Sequence, residues 1–237
     1  MKILAFESTA KVASVALTED DRLLAMTTAD AGVTHSEILL PMAEEILSRC
    51  HTTFADIGLF ACTVGPGSFT GVRIGVATVK GLAFGRGTPC AGISSTEALA
   101  EHLTGLSGIV CPVMDARRGQ LYTATFRVSP EGVTRLCPDR AMDKDDLAKE
   151  LVSCHEPVYL NGDGAAIEEA ALRALGSAPA ALPPLLLSPN AYSCARVAYR
   201  KYLAGESVSD RDLRPVYLRL PQAERERLER LAKEKKD

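Results

Sequence analysis

The stretch Cys62–Gly75 constrains the fold more than any other part of this sequence, because it joins an apolar strand, a glycine turn and a helix start. The residues leading into it, Ile57–Val64, are continuously apolar, which is typical of a strand in a sheet covered on both faces. Gly65-Pro66-Gly67 predicts a tight turn, since the glycines free the backbone on both sides of proline's fixed φ. Ser68 or Thr70 can then cap the helix. We therefore predict strand, turn and helix in this order.

The predicted helix runs to about residue 85, and Arg73 and Lys80 are its only charged residues, nearly on one face. The rest of its circumference is apolar, which indicates burial. Gly67, Gly71 and Gly75 recur every four residues and clear one face for the close approach of another backbone. Three interpretations stay open: a phosphate site at the helix N-terminus, a buried helix that needs small residues for packing, and a contact with a partner or a second copy. A P-loop is excluded because no Lys-Ser/Thr pair follows the second glycine.

Composition limits the functional classes. The 237 residues carry a net charge of −3, which argues against a protein that grips a nucleic-acid backbone unaided, so we expect any RNA contact to come through a partner. The apolar run at the N-terminus is too short for a signal peptide, and no run approaches a membrane span, which favours the cytoplasm. Seven cysteines without a C-x-x-C motif indicate neither a zinc site nor a disulfide framework.

The first half of the chain has a regular order of elements. Three apolar or alternating runs, Lys2–Phe6, Ala13–Thr18 and Arg22–Thr28, predict an antiparallel meander. Thr34 to Cys50 is predicted as a helix that opens with a capping box formed by Thr34 and Glu37. His35 follows the cap, and one imidazole is too few ligands for a metal, so we interpret it as a hydrogen-bonding or interface residue.

The second half begins again with a strand, Ile109–Met114, followed by a charged turn. Asp115, Arg117 and Arg118 in this turn have two interpretations: a solvated β-turn in which Asp115 caps backbone N–H groups, or a contact with a partner or RNA. Further on, Pro157–Gly164 is predicted as a strand that ends in a second glycine turn.

Four separated motifs carry a resemblance to a known family. Thr34–Pro41, Gly65–Arg73, Met114–Tyr122 and Pro215–Arg219 resemble, in this order, the motifs of the bacterial TsaB (YeaZ) family. The resemblance implies an α/β fold of two actin-like (ASKHA, ribonuclease H-like) lobes, each a mixed sheet flanked by helices. The expected division is an N-terminal lobe at 1–105 with the partner or dimer interface, a C-terminal lobe at 106–220, and a charged helical tail at 221–237.

The same resemblance implies a role in tRNA modification. A TsaB-type protein is expected to be a non-catalytic scaffold or activating subunit, required for threonylcarbamoylation of the adenosine next to the anticodon. Its implied partners are a TsaD-type transferase and a TsaE-type ATPase, which would hold the metal and ATP, while this chain has no cofactor of its own. Alone it would form a homodimer, and tRNA would be reached only through the complex.

The alternative is a stand-alone small-molecule kinase or metallopeptidase of the same superfamily. A kinase needs phosphate-facing carboxylates and glycine loops in both lobes, and a metallopeptidase needs clustered metal ligands with a base. The sequence shows neither set, so we predict no catalytic and no metal-binding residues.

Candidate cofactor contacts come from the resemblance to actin-like folds. Glu7 occupies the first hairpin turn, where such folds place an acidic residue toward nucleotide and metal, although a solvated turn carboxylate is the favoured interpretation. Gly162 and Gly164 lie where actin-like kinases keep a glycine loop on the adenosine side.

The two helices around the glycine turn supply the predicted interface. We expect Gly75→Arg to leave the lobe folded but to block association, provided that this glycine faces outward. The predicted partner or dimer interface comprises His35, Leu39, Met42, Ala43, Ile46, Gly71, Arg73 and Gly75.

Overall fold

The computed structural model of the protein describes residues 1–219, so the tail predicted for residues 221–237 lies outside the described residues. The chain forms two sheets. The first has the order β3-β2-β1-β4-β5, in which β1 pairs antiparallel with β2 and parallel with β4. Its strands are β1 Lys2–Glu7, β2 Ala13–Glu19, β3 Arg22–Ala29, β4 Leu59–Gly65 and β5 Cys90–Ser94.

Alternation along β1 explains why helices cover both faces of this sheet. Leu4 and Phe6 point to the face covered by α1 (His35–Arg49) and α2 (Phe69–Ala83). Ile3 and Ala5 point to the opposite face. That face packs against α6 (Ala191–Leu203) and part of α3 (Ser95–Glu101).

The second sheet has the order β10-β7-β6-β8-β9, with β11 paired in parallel to β6. Its strands are β6 Gly108–Asp115, β7 Gln120–Thr123, β8 Phe126–Ser129, β9 Gly132–Arg135, β10 Arg140–Asp143 and β11 Val158–Asn161. One face is covered by α4 (Lys144–Val152) and α5 (Ala165–Ala174). The other face packs against Ala100 and Leu103, so the segment around α3 lies between the two sheets.

The lobe division differs from the prediction in one element. Residues 106–220 were assigned to the second lobe, but α6 packs its small buried side chains against the first sheet. Further along the chain, Val208 forms a β-bridge with Cys90 at the edge of β5. The prediction missed this because the contact joins residues far apart in the sequence. Helix α6 covers the face of the first sheet that α1 and α2 leave free. The segment 191–219 therefore belongs structurally to the first lobe.

Of the two helix caps predicted above, one is confirmed and one is wrong. The Ser68 side chain caps α2, since it accepts a hydrogen bond from the Gly71 N–H. The capping box at the start of α1 is wrong, because the Thr34 side chain makes no capping hydrogen bond. Within residues 1–219 there is no helix long and apolar enough to cross a membrane.

Candidate functional site

A cleft of about 720 Å³ lies between the two lobes, at the ends of the central strands. The first lobe contributes the β1–β2 turn, the first residues of α1 and the glycine turn before α2. The second lobe contributes the turn after β6. The described C-terminal residues close one side, with Val216, Tyr217, Leu218 and Arg219 among the lining residues.

The glycine turn is built as predicted, and both glycines need their conformational freedom. Gly65 and Gly67 have φ angles of +114° and +153°. The turn is held by the Ser68 N–H, which donates to the Thr9 carbonyl at 2.8 Å. The strand, the turn and the start of α2 are thereby fixed against the β1–β2 turn.

The glycines of α2 face the chain's own β1–β2 turn. A Cβ added at Gly71 would lie 1.9 Å from the Ser8 carbonyl oxygen, and one added at Gly75 would lie 2.5 Å from Ser8 Oγ. Ser8 Oγ also donates to the Gly71 carbonyl at 2.8 Å. The prediction of an exposed glycine surface is therefore wrong: the second interpretation, internal packing, is confirmed for Gly71 and Gly75.

The apolar interface residues predicted on α1 are also internal. All of them pack in the core between α1, α2 and the first sheet, because they lie on the helix face that points to the strands. The prediction that these residues form an exposed surface is therefore wrong. They are Leu39, Met42, Ala43 and Ile46, with relative exposures between 0% and 7%.

The same two helices nevertheless expose apolar residues on their outward side. Leu40 in α1 is 40% exposed, and Phe84 at the end of α2 is 75% exposed. Nothing lies within 4 Å of a Cβ added at Gly81, so the backbone there is open to close approach. We call this surface the outer helix face; it comprises Leu40, Pro41, Ile74, Ala77, Gly81 and Phe84.

His35 and Arg73 are placed at the border between this face and the cleft. His35 Nε2 lies 2.9 Å from the Ala10 carbonyl oxygen, which confirms a hydrogen-bonding role. Arg73 Nε donates to the Tyr217 hydroxyl at 2.9 Å, and its guanidinium lies 3.9 Å from the centre of the Phe69 ring. Arg73 is exposed, so it remains available to a partner.

The contact between Tyr217 and Arg73 was missed from the sequence. The sequence singled out Pro215–Arg219 only as a motif, and a separation of 144 residues from Arg73 gives no local signal. Arg73 itself was no hint, because its guanidinium is exposed and water can solvate it.

Glu7 is buried, not solvated, so the favoured interpretation of this residue is wrong. Its side chain is 0% exposed, and Oε1 accepts hydrogen bonds from the Thr9 N–H at 2.6 Å and the Thr9 hydroxyl at 2.5 Å. Oε2 is buried without a hydrogen-bond partner among the described residues. Burial raises the pKa of the Glu7 carboxyl, and the bonds from Thr9 oppose this only in part.

This shift predicts a pH dependence of stability. The folded pKa of Glu7 lies above its ordinary value of 4.5, so at a pH between these two values the native state holds a proton that the unfolded chain has released. The contribution of Glu7 to the free energy of unfolding is fully present below about pH 4.5 and is lost as the pH rises through the folded pKa. We expect Glu7→Gln to gain stability over the wild type by about 1.4 kcal/mol per pH unit in that window.

Urea unfolding of both proteins between pH 5 and pH 8 measures this effect. Glu44→Gln, at an exposed position of α1, is the matched control and should show no such gain. A constant difference between Glu7→Gln and the wild type at every pH would contradict the burial argument.

The charged turn after β6 matches the first of its two interpretations, a solvated turn in which Asp115 caps backbone N–H groups. Asp115 accepts a hydrogen bond from the Arg117 N–H at 2.7 Å and pairs with its guanidinium at 3.0 Å. Arg117 and Arg118 are exposed. Asp115 therefore does cap the turn, while the contact with a partner or RNA remains a prediction.

The second glycine turn is closed by internal packing. A Cβ added at Gly162 would lie 2.2 Å from the Val113 carbonyl oxygen, and the Gly164 N–H donates to the same oxygen at 3.0 Å. Both glycines are buried, so a loop open to a nucleotide is wrong for these two residues. Within residues 1–219 no group of three His, Cys, Asp or Glu side chains is arranged to hold a metal ion.

Comparison with known proteins agrees with this architecture. A family model described as "TsaD: tRNA N6-adenosine threonylcarbamoyltransferase" matches residues 28–213. The chain is 29% identical to the tRNA threonylcarbamoyladenosine biosynthesis protein TsaB of Bacillus subtilis, over 94% of this chain and 96% of that protein. The protein of the same name from Escherichia coli is also 29% identical, over 92% and 95% of the two chains.

Solved structures extend the comparison. A Pseudomonas aeruginosa protein described as similar to peptidase YeaZ superposes with a TM-score of 0.80 at 25% identity, covering 92% of this chain and 99% of that one. The ethanolamine utilization protein EutJ of Carboxydothermus hydrogenoformans, at 15% identity and a TM-score of 0.51, shares the fold alone.

These likenesses and the two sheets around one cleft define an actin-like (ASKHA) α/β protein, as predicted. The chain belongs to the family that the TsaD model describes, and its relatives over nearly the whole chain make it a TsaB (YeaZ) family protein.

Proposed function

We propose that this chain acts in the biosynthesis of threonylcarbamoyladenosine in tRNA, as a non-catalytic subunit that binds and activates a TsaD-type transferase. The observation that supports it most is the relationship to proteins named TsaB over more than nine-tenths of the chain. The chain's match to a TsaD model adds a second point, because two related chains can associate through equivalent surfaces.

The outer helix face is the proposed docking surface. Its two helices leave apolar side chains exposed although the sheet below them is already covered. Ala77 and Gly81 lie one turn apart on α2, and such small residues let a partner helix approach closely. The interface is thus proposed on the side of the two helices opposite to Leu39 and Gly71.

Charge around this face suits a partner with the same two-helix arrangement. Glu37 and Glu44 are exposed on α1, and Arg73 is exposed on α2. A copy related by a two-fold axis, or a homologous TsaD-type chain, can place opposite charges against them. Homodimer and heterodimer would then use one surface and exclude each other.

The burial of Glu7 supports a subunit without chemistry of its own. In an active site this carboxyl group would face the cleft, whereas here the Thr9 N–H and hydroxyl hold it inside the lobe. We therefore place ATP and metal on the partners, the TsaD-type transferase and a TsaE-type ATPase, and expect tRNA to be bound only by the complex. The net charge of −3 agrees with this division.

Measurement of the molecular mass of the protein in solution, alone and with its partner, tests the docking proposal. The protein alone is expected to form a homodimer, and addition of the TsaD-type protein from the same source should convert it to a one-to-one heterodimer. A complex in which the TsaD-type protein binds to the intact homodimer would show that the two contacts do not share this surface.

A further inference from the structure

The described C-terminal residues connect α2, beside the outer helix face, to the second lobe. Val216 N–H donates to the Val64 carbonyl at 2.7 Å, which anchors the segment to the end of β4. Lys80 of α2 holds the segment further upstream, where its ammonium donates to the Leu213 carbonyl at 3.1 Å. Leu213 itself is buried in the core of the first lobe.

Beyond Val216 the segment passes from one lobe to the other within a few residues. The Tyr217 ring stacks on Phe69 with ring centres 4.7 Å apart, and its hydroxyl accepts from Arg73. Arg219 Nη1 donates to the Ala116 carbonyl at 3.2 Å, in the turn after β6. One residue separates an anchor on α2 from an anchor on the second lobe.

We infer that residues 216–219 act as a latch that links docking on the outer helix face to the closure of the cleft. The inference rests on the proposed function, because the docked partner is the TsaD-type chain. A partner on this face covers Arg73 and excludes water from its contact with Tyr217, and a hydrogen bond strengthens when water is excluded. The latch then holds Arg219 on Ala116, so partner binding and closure of the cleft favour each other.

The charge and packing of Arg73 make this link specific. Its guanidinium lies between the exposed surface and two aromatic rings, 3.9 Å from the Phe69 ring centre and 5.8 Å from that of Tyr217. Arg73 is thus a positioning residue for Tyr217, and through it for Arg219.

Hydrogen exchange of the isolated protein tests the link without any partner. Arg73→Gln should raise exchange of the Val216 amide about fivefold, the effect of losing one hydrogen bond, and should also raise exchange in the turn at residues 116–120 of the second lobe. Tyr217→Phe, which removes only the hydroxyl, should do the same. Arg86→Gln, an equal loss of charge at an exposed position after α2, is the control. Unchanged exchange at 116–120 in both variants would overturn the latch.

A second arm adds the TsaD-type protein. Binding should slow exchange of Val216 and of residues 116–120 in the wild type about tenfold, which is within the usual range for coupling between two sites, and much less in Tyr217→Phe. Equal slowing in both proteins would overturn the coupling. A wild type that does not bind the partner defeats the proposed docking, whereas the first arm still decides whether the latch exists.

Discussion

Gly71→Ala is expected to lower the free energy of unfolding by about 3 kcal/mol or more, the largest stability effect among the glycines of α2. The new Cβ would lie 1.9 Å from the Ser8 carbonyl oxygen, and this atom belongs to the backbone of the tight β1–β2 turn. Relief requires α2 to move away from the turn, which would also break the bond from Ser8 Oγ to the Gly71 carbonyl.

Gly81→Ala is the matched control, because it makes the same change ten residues further along the same helix. The site is open, and alanine favours helix more than glycine does, so a gain of up to about 1 kcal/mol is expected. Thermal and urea unfolding of both variants measure the difference. Equal stabilities for Gly71→Ala and the wild type would contradict the packing of α2 on Ser8.

Ala77→Arg is expected to abolish capture of the TsaD-type partner while the protein remains folded. Ala77 is exposed at the centre of the outer helix face, so an arginine costs the isolated chain little. In a close helix contact the same side chain would be buried without a partner charge, at a cost on the order of 3 kcal/mol, which corresponds to a loss of affinity of at least 100-fold.

The control for this variant carries the same change on the second lobe. Ala170→Arg lies at an exposed position of α5, far from α1 and α2 in the fold, and should bind the partner like the wild type. Titration calorimetry with the TsaD-type protein, together with the thermal melting of each variant, separates binding from folding. Wild-type affinity of a folded Ala77→Arg protein would place the interface elsewhere.

Local patterns predicted much of the fold. The helix after the glycine turn and its cap at Ser68 follow the prediction, since periodicity and capping residues act within a few positions. The three strands before α1 also lie within a residue or two of their predicted bounds. The four motifs then identified the family, which local patterns alone do not specify.

The wrong predictions concern what contacts a given helix face or turn, another part of the chain or solvent. A glycine every fourth residue predicts that something approaches α2 closely, but the approaching atom belongs to Ser8, 63 residues away from Gly71. The polar turn at Glu7 suggests solvent, yet the hydrogen bonds from Thr9 turn the carboxylate inward. Small apolar residues in α6 fit either sheet equally well. Such choices depend on long-range packing, which the spacing of residues along the chain does not encode.

The proposed role as a required subunit is tested by a tRNA modification assay reconstituted from purified subunits, with each subunit omitted in turn. The substrate is tRNA lacking the modification, with ATP and the threonylcarbamoyl donor supplied, and the readout is the modified adenosine after nuclease digestion. Omission of this chain is expected to abolish modification; addition of Ala170→Arg should restore it, and addition of Ala77→Arg should not. Full modification in the absence of this chain would contradict the proposed function.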